Sequence, residues 1–166
     1  MIPESASVSE GEARAIIAMP KAIVGDVEWV NSPTGSALFK ATFLLYDMNG
    51  ATIPGLNVEL TYRHSMVPND CNHKMTIFSV RGARRLRTFQ FEIYPPTRMS
   101  HKQDGTPIYG PHQHVGEKYE PIEGVSMLTC ADYELWMREF FGRANIAFTG
   151  KYSPPEPLAG QLDLGI

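Results

Sequence analysis

An α+β fold, an antiparallel sheet of about five strands covered on one face by a helix, is predicted by three features of this chain. Period-two alternation of apolar and polar residues recurs between residues 22 and 94. Short turn clusters, with no helix-length insert, separate the alternating segments. One strongly amphipathic helix follows after residue 130. Strands joined this closely pair antiparallel, because a parallel βαβ unit needs a crossover helix between strands. At 166 residues, 43% hydrophobic and 20% charged, the chain is sized for one globular domain with its own core. That domain is expected over residues 1–150, with an extended, proline-rich tail over 151–166.

Residues 8–19 (VSEGEARAIIAM) predict a short N-terminal helix. Ser9 and Glu12 form a capping box, Val8 is placed to staple onto Ala13, and Pro20 stops the helix. Residues 22–30 are β-prone, and the NSPTGS cluster turns the chain. In residues 37–46, Phe39, Ala41, Phe43 and Leu45 share one face. After a turn punctuated by Asn49-Gly50 and Pro54-Gly55, residues 56–64 alternate again. Leu56, Val58, Leu60 and Tyr62 point inward, and Asn57, Glu59, Thr61 and Arg63 outward. Residues 74–80 and 86–94, joined by RGARR, extend the meander. Phe89, Phe91 and Ile93 are expected in the core, with Thr88, Gln90, Glu92 and Tyr94 facing out. Residues 131–143 place Tyr133, Trp136, Met137, Phe140 and Phe141 on one helical stripe, which is core rather than a cofactor box. Thr129 is expected as its cap with Asp132 at the capping-box position, and Asn145 as its end.

Between meander and helix lies the irregular stretch 95–121, PPTRMSHKQDGTPIYGPHQHVGEKYEP, with three of the five histidines within fourteen residues. Pro95-Pro96 ends the preceding strand and Asp104-Gly105 marks a turn. A small hairpin is expected from Thr106–Tyr109 and His112–Gly116 around Gly110-Pro111. In an extended segment residues i and i+2 share a face, so His112 and His114 can converge on one atom, and His101 can join them across the turn. Two chemistries suit that convergence. Imidazoles can serve as acid and base at one phosphate at neutral pH. Alternatively His101, His112 and His114, with a nearby carboxylate such as Asp104 or Glu117, can hold zinc or a similar divalent ion. No cofactor other than such a metal is called for.

A second constellation is basic. Arg81, Arg84, Arg85 and Arg87 cluster at a hairpin tip in a chain of net charge −3, a candidate phosphate clamp that Arg98 and Lys102 would extend toward the histidines. Tyr94 and Tyr109 are candidates for stacking a base. The overall charge excludes a wholesale nucleic-acid coat but not a local basic face. Cys71, His73 and His64 lack a fourth ligand and match no zinc module, so a turn is the stronger reading there. Cys71 and Cys130, far apart in sequence, are expected to be thiols. No apolar run is long enough to span a bilayer, and the polar, acidic first residues do not read as a secretory signal, so a cytoplasmic protein is expected. No Walker loop, dinucleotide fingerprint, zincin motif or nucleophile elbow is present.

The chain resembles a family of uncharacterised bacterial and phage proteins, a domain of unknown function. Its members open with L-T-x-E-E-A-x-x-L-I-x-M-x-K, where residues 8–21 here read V-S-E-G-E-A-R-A-I-I-A-M-P-K. Further likenesses are Arg81 to Arg87 before a strand, the turn from His101 to Gly105, Pro111-His112-Gln113-His114, and the helix end from Phe140 to Ile146. Gly11 departs from an acidic position, and His101 lies one residue closer to its D-G turn. This resemblance implies a shared fold and histidine loop, and no activity. The histidine loop alone is also similar to the P-H-x-K-H loop of RNA-degrading toxins from bacterial toxin–antitoxin pairs.

Together these features set three functional expectations. The first is a nucleic-acid-directed protein, a toxin-like endoribonuclease acting on RNA. There, one of His112 and His114 takes the 2′-hydroxyl proton, and the other, or His101, protonates the leaving oxygen. Arg84, Arg85 and Arg87 stabilise the phosphate. The second is a non-enzymatic, phage- or defence-linked module that engages a cognate protein or nucleic acid through the outer sheet face. The third is a metal-dependent hydrolase or metal-stabilised loop.

Overall fold

A computed structural model describes residues 6–32, 37–67 and 69–155 of the chain. Helix α1 (Glu10–Ala18) precedes short strands β1 (Lys21–Ile23) and β2 (Val30–Asn31). A meander of long strands follows: β3 (Leu38–Tyr46), β4 (Thr52–Arg63), β5 (His73–Arg81) and β6 (Arg84–Ile93). Four short strands come next: β7 (Met99–Gln103), β8 (Thr106–Tyr109), β9 (His112–Val115) and β10 (Lys118–Pro121). Helix α2 (Tyr133–Arg143) and strand β11 (Ile146–Phe148) complete the described order.

The class is α+β as expected, with the antiparallel meander in place, but the sheet has nine strands rather than about five. Its order is β10-β9-β6-β5-β4-β3-β1-β11, with β2 also on β3. The added strands are two to four residues long, too short to carry a readable alternation. One of them makes the sheet mixed: β1 and β11 pair in parallel, Lys21 opposite Ile146.

The aromatic stripe of α2 lies on the meander. Phe140 stacks on Phe89 with ring centroids 5.3 Å apart, and Trp136 meets Phe91 edge-on at 6.4 Å. Such ring pairs add to the area they bury. The polar ends of the stripe are satisfied too: the Trp136 indole donates to the Thr129 carbonyl (2.9 Å) and the Tyr133 hydroxyl to the Thr61 carbonyl (3.0 Å). The helix starts two residues later than expected and is capped differently. Asp132 occupies the N-cap position without a side-chain cap bond, because its carboxylate turns back to accept from the Thr129 amide and hydroxyl. Asn145 ends the turn in the left-handed region (φ 57°), and its amide reaches the Ala18 carbonyl at the end of α1.

Around α1 the expectations hold more closely. Ser9 Oγ accepts from the Glu12 amide at 3.2 Å, and Val8 and Ala13 are both buried. The last turn of α1 carries no basic residue. Instead the buried Lys21 donates from its ammonium to the carbonyls of Ile16, Ile17 and Met19 (2.6, 3.3 and 2.5 Å), satisfying the acceptors that a helix end leaves open. Ahead of α1, the backbone of residues 6–8 bonds to both sides of Arg87, covering β6 where β9 no longer reaches. This segment passes so close to the end of β9 that a Cβ on Gly116 (φ 59°) would sit 2.6 Å from the Ser9 and Val8 carbonyl oxygens.

Two further expectations are corrected. Cys71 and Cys130 form a disulfide, Cα atoms 5.5 Å apart across 59 residues of sequence. The fold brings the start of β5 against the approach to α2, a proximity that sequence separation hides. Thr106–Tyr109 and His112–Gly116 do not form a hairpin with each other. The hairpin is β7–β8, a separate two-stranded sheet turned by Asp104 and Gly105, both at positive φ, while β9 joins β6. An Asp-Gly pair meets that two-residue turn geometry. Of the expected tail, residues 156–166 lie outside the described residues. Residues 151–153 return to the fold, with Val27 donating to Lys151, Lys151 to Asp26, and Trp29 to Ser153. Among the described residues no helix is long and apolar enough to cross a membrane.

Candidate metal centre

Register across the sheet assembles the site. Glu92 lies opposite His112 and Gln90 opposite His114 in the β6–β9 pair, and His114 lies opposite Tyr119 in the β9–β10 pair. Directly opposite residues share a face, so Gln90, Glu92, His112, His114 and Tyr119 all project from the side away from Phe89 and Phe91. His101 arrives from the β7–β8 hairpin. Ser100 braces that hairpin by donating to the carbonyls of Ile108 and Gly110, 3.1 Å each way.

The side chains of Glu92, His101, His112 and His114 each direct one ligand atom into a space where all four lie within 4.8 Å of one another. The Nε2 atoms of His112 and His114 are 3.1 Å apart. Glu92 places Oε1 3.1 Å from His114 Nε2 and Oε2 3.6 Å from His112 Nε2. Both imidazoles of β9 are fully buried, Glu92 is nearly so, and His101 is half-buried, so solvent approaches from its side. Rings hold the imidazoles in place: His101 stacks on Tyr119 at 4.4 Å, and Tyr94 lies parallel to His112 at 6.2 Å. The Tyr94 hydroxyl also donates to Glu92 Oε2 at 3.2 Å.

Burial and the contacts between Glu92 and the imidazoles together set the protonation states. It pushes His114 down to about 4, with the Glu92 hydrogen bond opposing and the Arg87 charge assisting. His112 is lowered for the same first reason, against the pull of Glu92 and the Gly110 carbonyl. Burial alone would raise the Glu92 carboxyl, but the His114 hydrogen bond and the charges of His114, Lys74 and His112 outweigh it and hold the group at about 2. Tyr94 is pushed up to about 12 by burial and by the Glu92 charge, so it stays a phenol and a donor. At neutral pH His112 and His114 are therefore neutral imidazoles beside the Glu92 carboxylate, the forms that ligate metals.

Arg87 is also buried at the site, 6% exposed. Its Nη1 lies 3.5 Å from Gln90 Oε1, its Nε has no hydrogen-bond partner, and among the described residues no carboxylate stands within ion-pair distance of it. Gln90 is held by its own amide, which donates to Thr76 Oγ1 at 2.7 Å.

Of the residues singled out from sequence, the fold unites His101, His112 and His114, with Arg87 beside them. The other arginines are occupied or remote. Arg81 pairs with Glu12; Arg85 pairs with Glu59 at 2.8 Å and lies over the Phe78 ring; Arg98 pairs with Asp70 at 3.4 Å. Arg84 stands at the exposed tip, and Lys102, Tyr109 and Glu117 are exposed. Asp104 is taken up by the hairpin turn and lies outside the converging group, in which Glu92 is the carboxylate that stands with the three histidines. Cys71 is in the disulfide, which leaves no thiolate for a set with His64 and His73. Sequence reasoning missed Glu92, Tyr119 and the burial of Gln90. The outward half of the 86–94 alternation read as solvent-facing, and only pairing with the H-x-H strand reveals its role. Compared with family models, curated proteins and solved structures, the chain matches none.

Proposed function

We propose that this protein binds a divalent metal through Glu92, His101, His112 and His114 and works as a metal-dependent hydrolase. One observation carries the reading: four ligand atoms from three strands converge on one buried point. Ligand atoms bound to one first-row ion at about 2.1 Å stand roughly 3 Å apart when adjacent; the spacings of 3.1, 3.1 and 3.6 Å among Glu92, His112 and His114 match that packing, and His101 lies within 4.8 Å of them. Three imidazoles and one carboxylate suit zinc and its first-row neighbours. One carboxylate leaves such a centre a net positive charge, as Lewis-acid activation of water requires. An ion that takes six ligands keeps two positions for water and substrate. The half-buried His101 marks the side from which they enter.

The same distances bear on cleavage of RNA by two histidines. That chemistry needs imidazoles on opposite sides of a phosphate, and Nε2 atoms 3.1 Å apart leave no room for one between them. Three of the arginines expected to clamp a phosphate backbone are already paired with carboxylates.

Elemental analysis after purification and titration with Zn²⁺, Mn²⁺ and Co²⁺ test the reading. One ion per chain is expected, lost in His112→Ala with the fold retained by circular dichroism. Hydrolysis of ester, amide and phosphoester substrates should vanish with a chelator and return with the ion. A well-folded native protein that binds none of these ions would overturn the proposal. RNA cleavage that persists in chelator and is lost in His112→Ala would favour acid–base catalysis instead.

A further inference from the structure

Arg87 is a buried cation whose role the metal ligands leave open. Its side chain is more than nine-tenths buried, its Nε lacks a hydrogen-bond partner among the described residues, and its Nη1 donates to a neutral amide oxygen at 3.5 Å. Buried charges are ordinarily paired, because taking an isolated guanidinium out of water costs several kcal/mol. Among the described residues the one buried carboxylate is Glu92, and its oxygens are engaged by His112, His114 and Tyr94. With a divalent ion in the centre, three positive charges from ion and arginine face one negative charge. Lys74, registered opposite Glu92 on β5, adds to the same side of the balance. Gln90 separates the guanidinium from His114 by a single sheet position.

From this imbalance we infer that the centre takes an anionic small molecule, one oxyanion group of which, a carboxylate or a phosphate, is received by Arg87 beside the metal. This inference rests on the metal reading and names the substrate class for it. A guanidinium offers its donors in a planar fork that fits two oxygens of such a group. The buried setting favours a compact ligand over a polymer.

Co²⁺-loaded protein provides the test, because the visible spectrum of the ion reports what enters its coordination sphere. Acetate and inorganic phosphate serve as the two anion probes and acetamide as the uncharged control. Saturable spectral changes are expected with at least one anion and not with acetamide. Arg87→Met should weaken anion binding at least tenfold while leaving Co²⁺ affinity within about threefold. Arg87→Lys, which keeps the charge and loses the fork, should fall between, and it serves alone if Arg87→Met does not fold. Whichever probe binds more tightly identifies carboxylate or phosphate as the group received. Anion binding unaltered in the arginine variants, or an equal response to acetamide, overturns the inference and leaves the metal centre standing. Failure of native protein to bind Co²⁺, Zn²⁺ or Mn²⁺ removes the metal reading itself, and the inference with it.

Discussion

His73 and His114 are both buried imidazoles held down to about 4, and they lie on opposite faces of the same sheet. His73 sits among aromatic rings, stacked on Tyr62 at 4.7 Å and edge-on to Tyr133 at 5.1 Å, and its Nδ1 accepts from the Arg63 amide at 3.3 Å. Among the described residues no cluster of ligand groups forms around it. His114 has a second imidazole and a carboxylate at 3.1 Å. Burial is the leading cause of the lowering in both groups, so a shifted pKa does not separate a structural histidine from a functional one. Convergence of ligand atoms does.

The sharpest way to break that contrast is by metal affinity. His114→Ala should lower it at least about 100-fold, roughly 3 kcal/mol, whereas His73→Phe should leave it within threefold, read by competition with a chromophoric chelator. Comparable losses in both variants would erase the distinction. Stability should divide the other way. The Cys71–Cys130 disulfide anchors the His73 side, and Cys71→Ser with Cys130→Ser should cost about 2–4 kcal/mol in denaturant unfolding. Metal stoichiometry should be unchanged by that substitution.

Acid offers a third comparison. His73 has a folded pKa of about 4 against an ordinary 6.5, so between those values the unfolded chain binds the extra proton. Stability therefore falls as pH drops through this window, by up to about 3 kcal/mol from this residue. His73→Phe should reduce the slope of metal-free stability against pH by about one proton between pH 6.5 and 4. An unchanged slope would show that His73 is not buried as described. The smallest expected effect is at Tyr119, whose ring supports His101 without being a ligand. Tyr119→Ala should weaken metal binding about tenfold, the scale for groups that orient ligands, and Tyr119→Phe, which keeps the stack, should weaken it less.

The long strands and α2 were legible because each carries enough residues to show its period. Phe89, Phe91, Trp136 and Phe140 meet as their spacing implies. The site was half legible. His112 and His114 share a face by the i, i+2 rule, and His101 was close enough in the chain to be considered. Glu92 was hidden because alternation tells which residues share a face, not whether that face is covered. Thr88, Gln90 and Glu92 are polar yet buried, since neighbouring segments close over them. The disulfide and the β1–β11 pair were hidden for a related reason, namely that both join segments far apart in sequence.

That last pair has a consequence for how the protein comes into being. Lys21 cannot meet Ile146 until 125 further residues exist, and contacts of such separation are slow to form. During synthesis the meander can assemble as it emerges, but β1 waits with an open edge until β11 has left the ribosome. An unpaired strand edge is a template for association with other chains. Slow translation, or a stall before residue 146, would thus leave the nascent protein at its most vulnerable to aggregation.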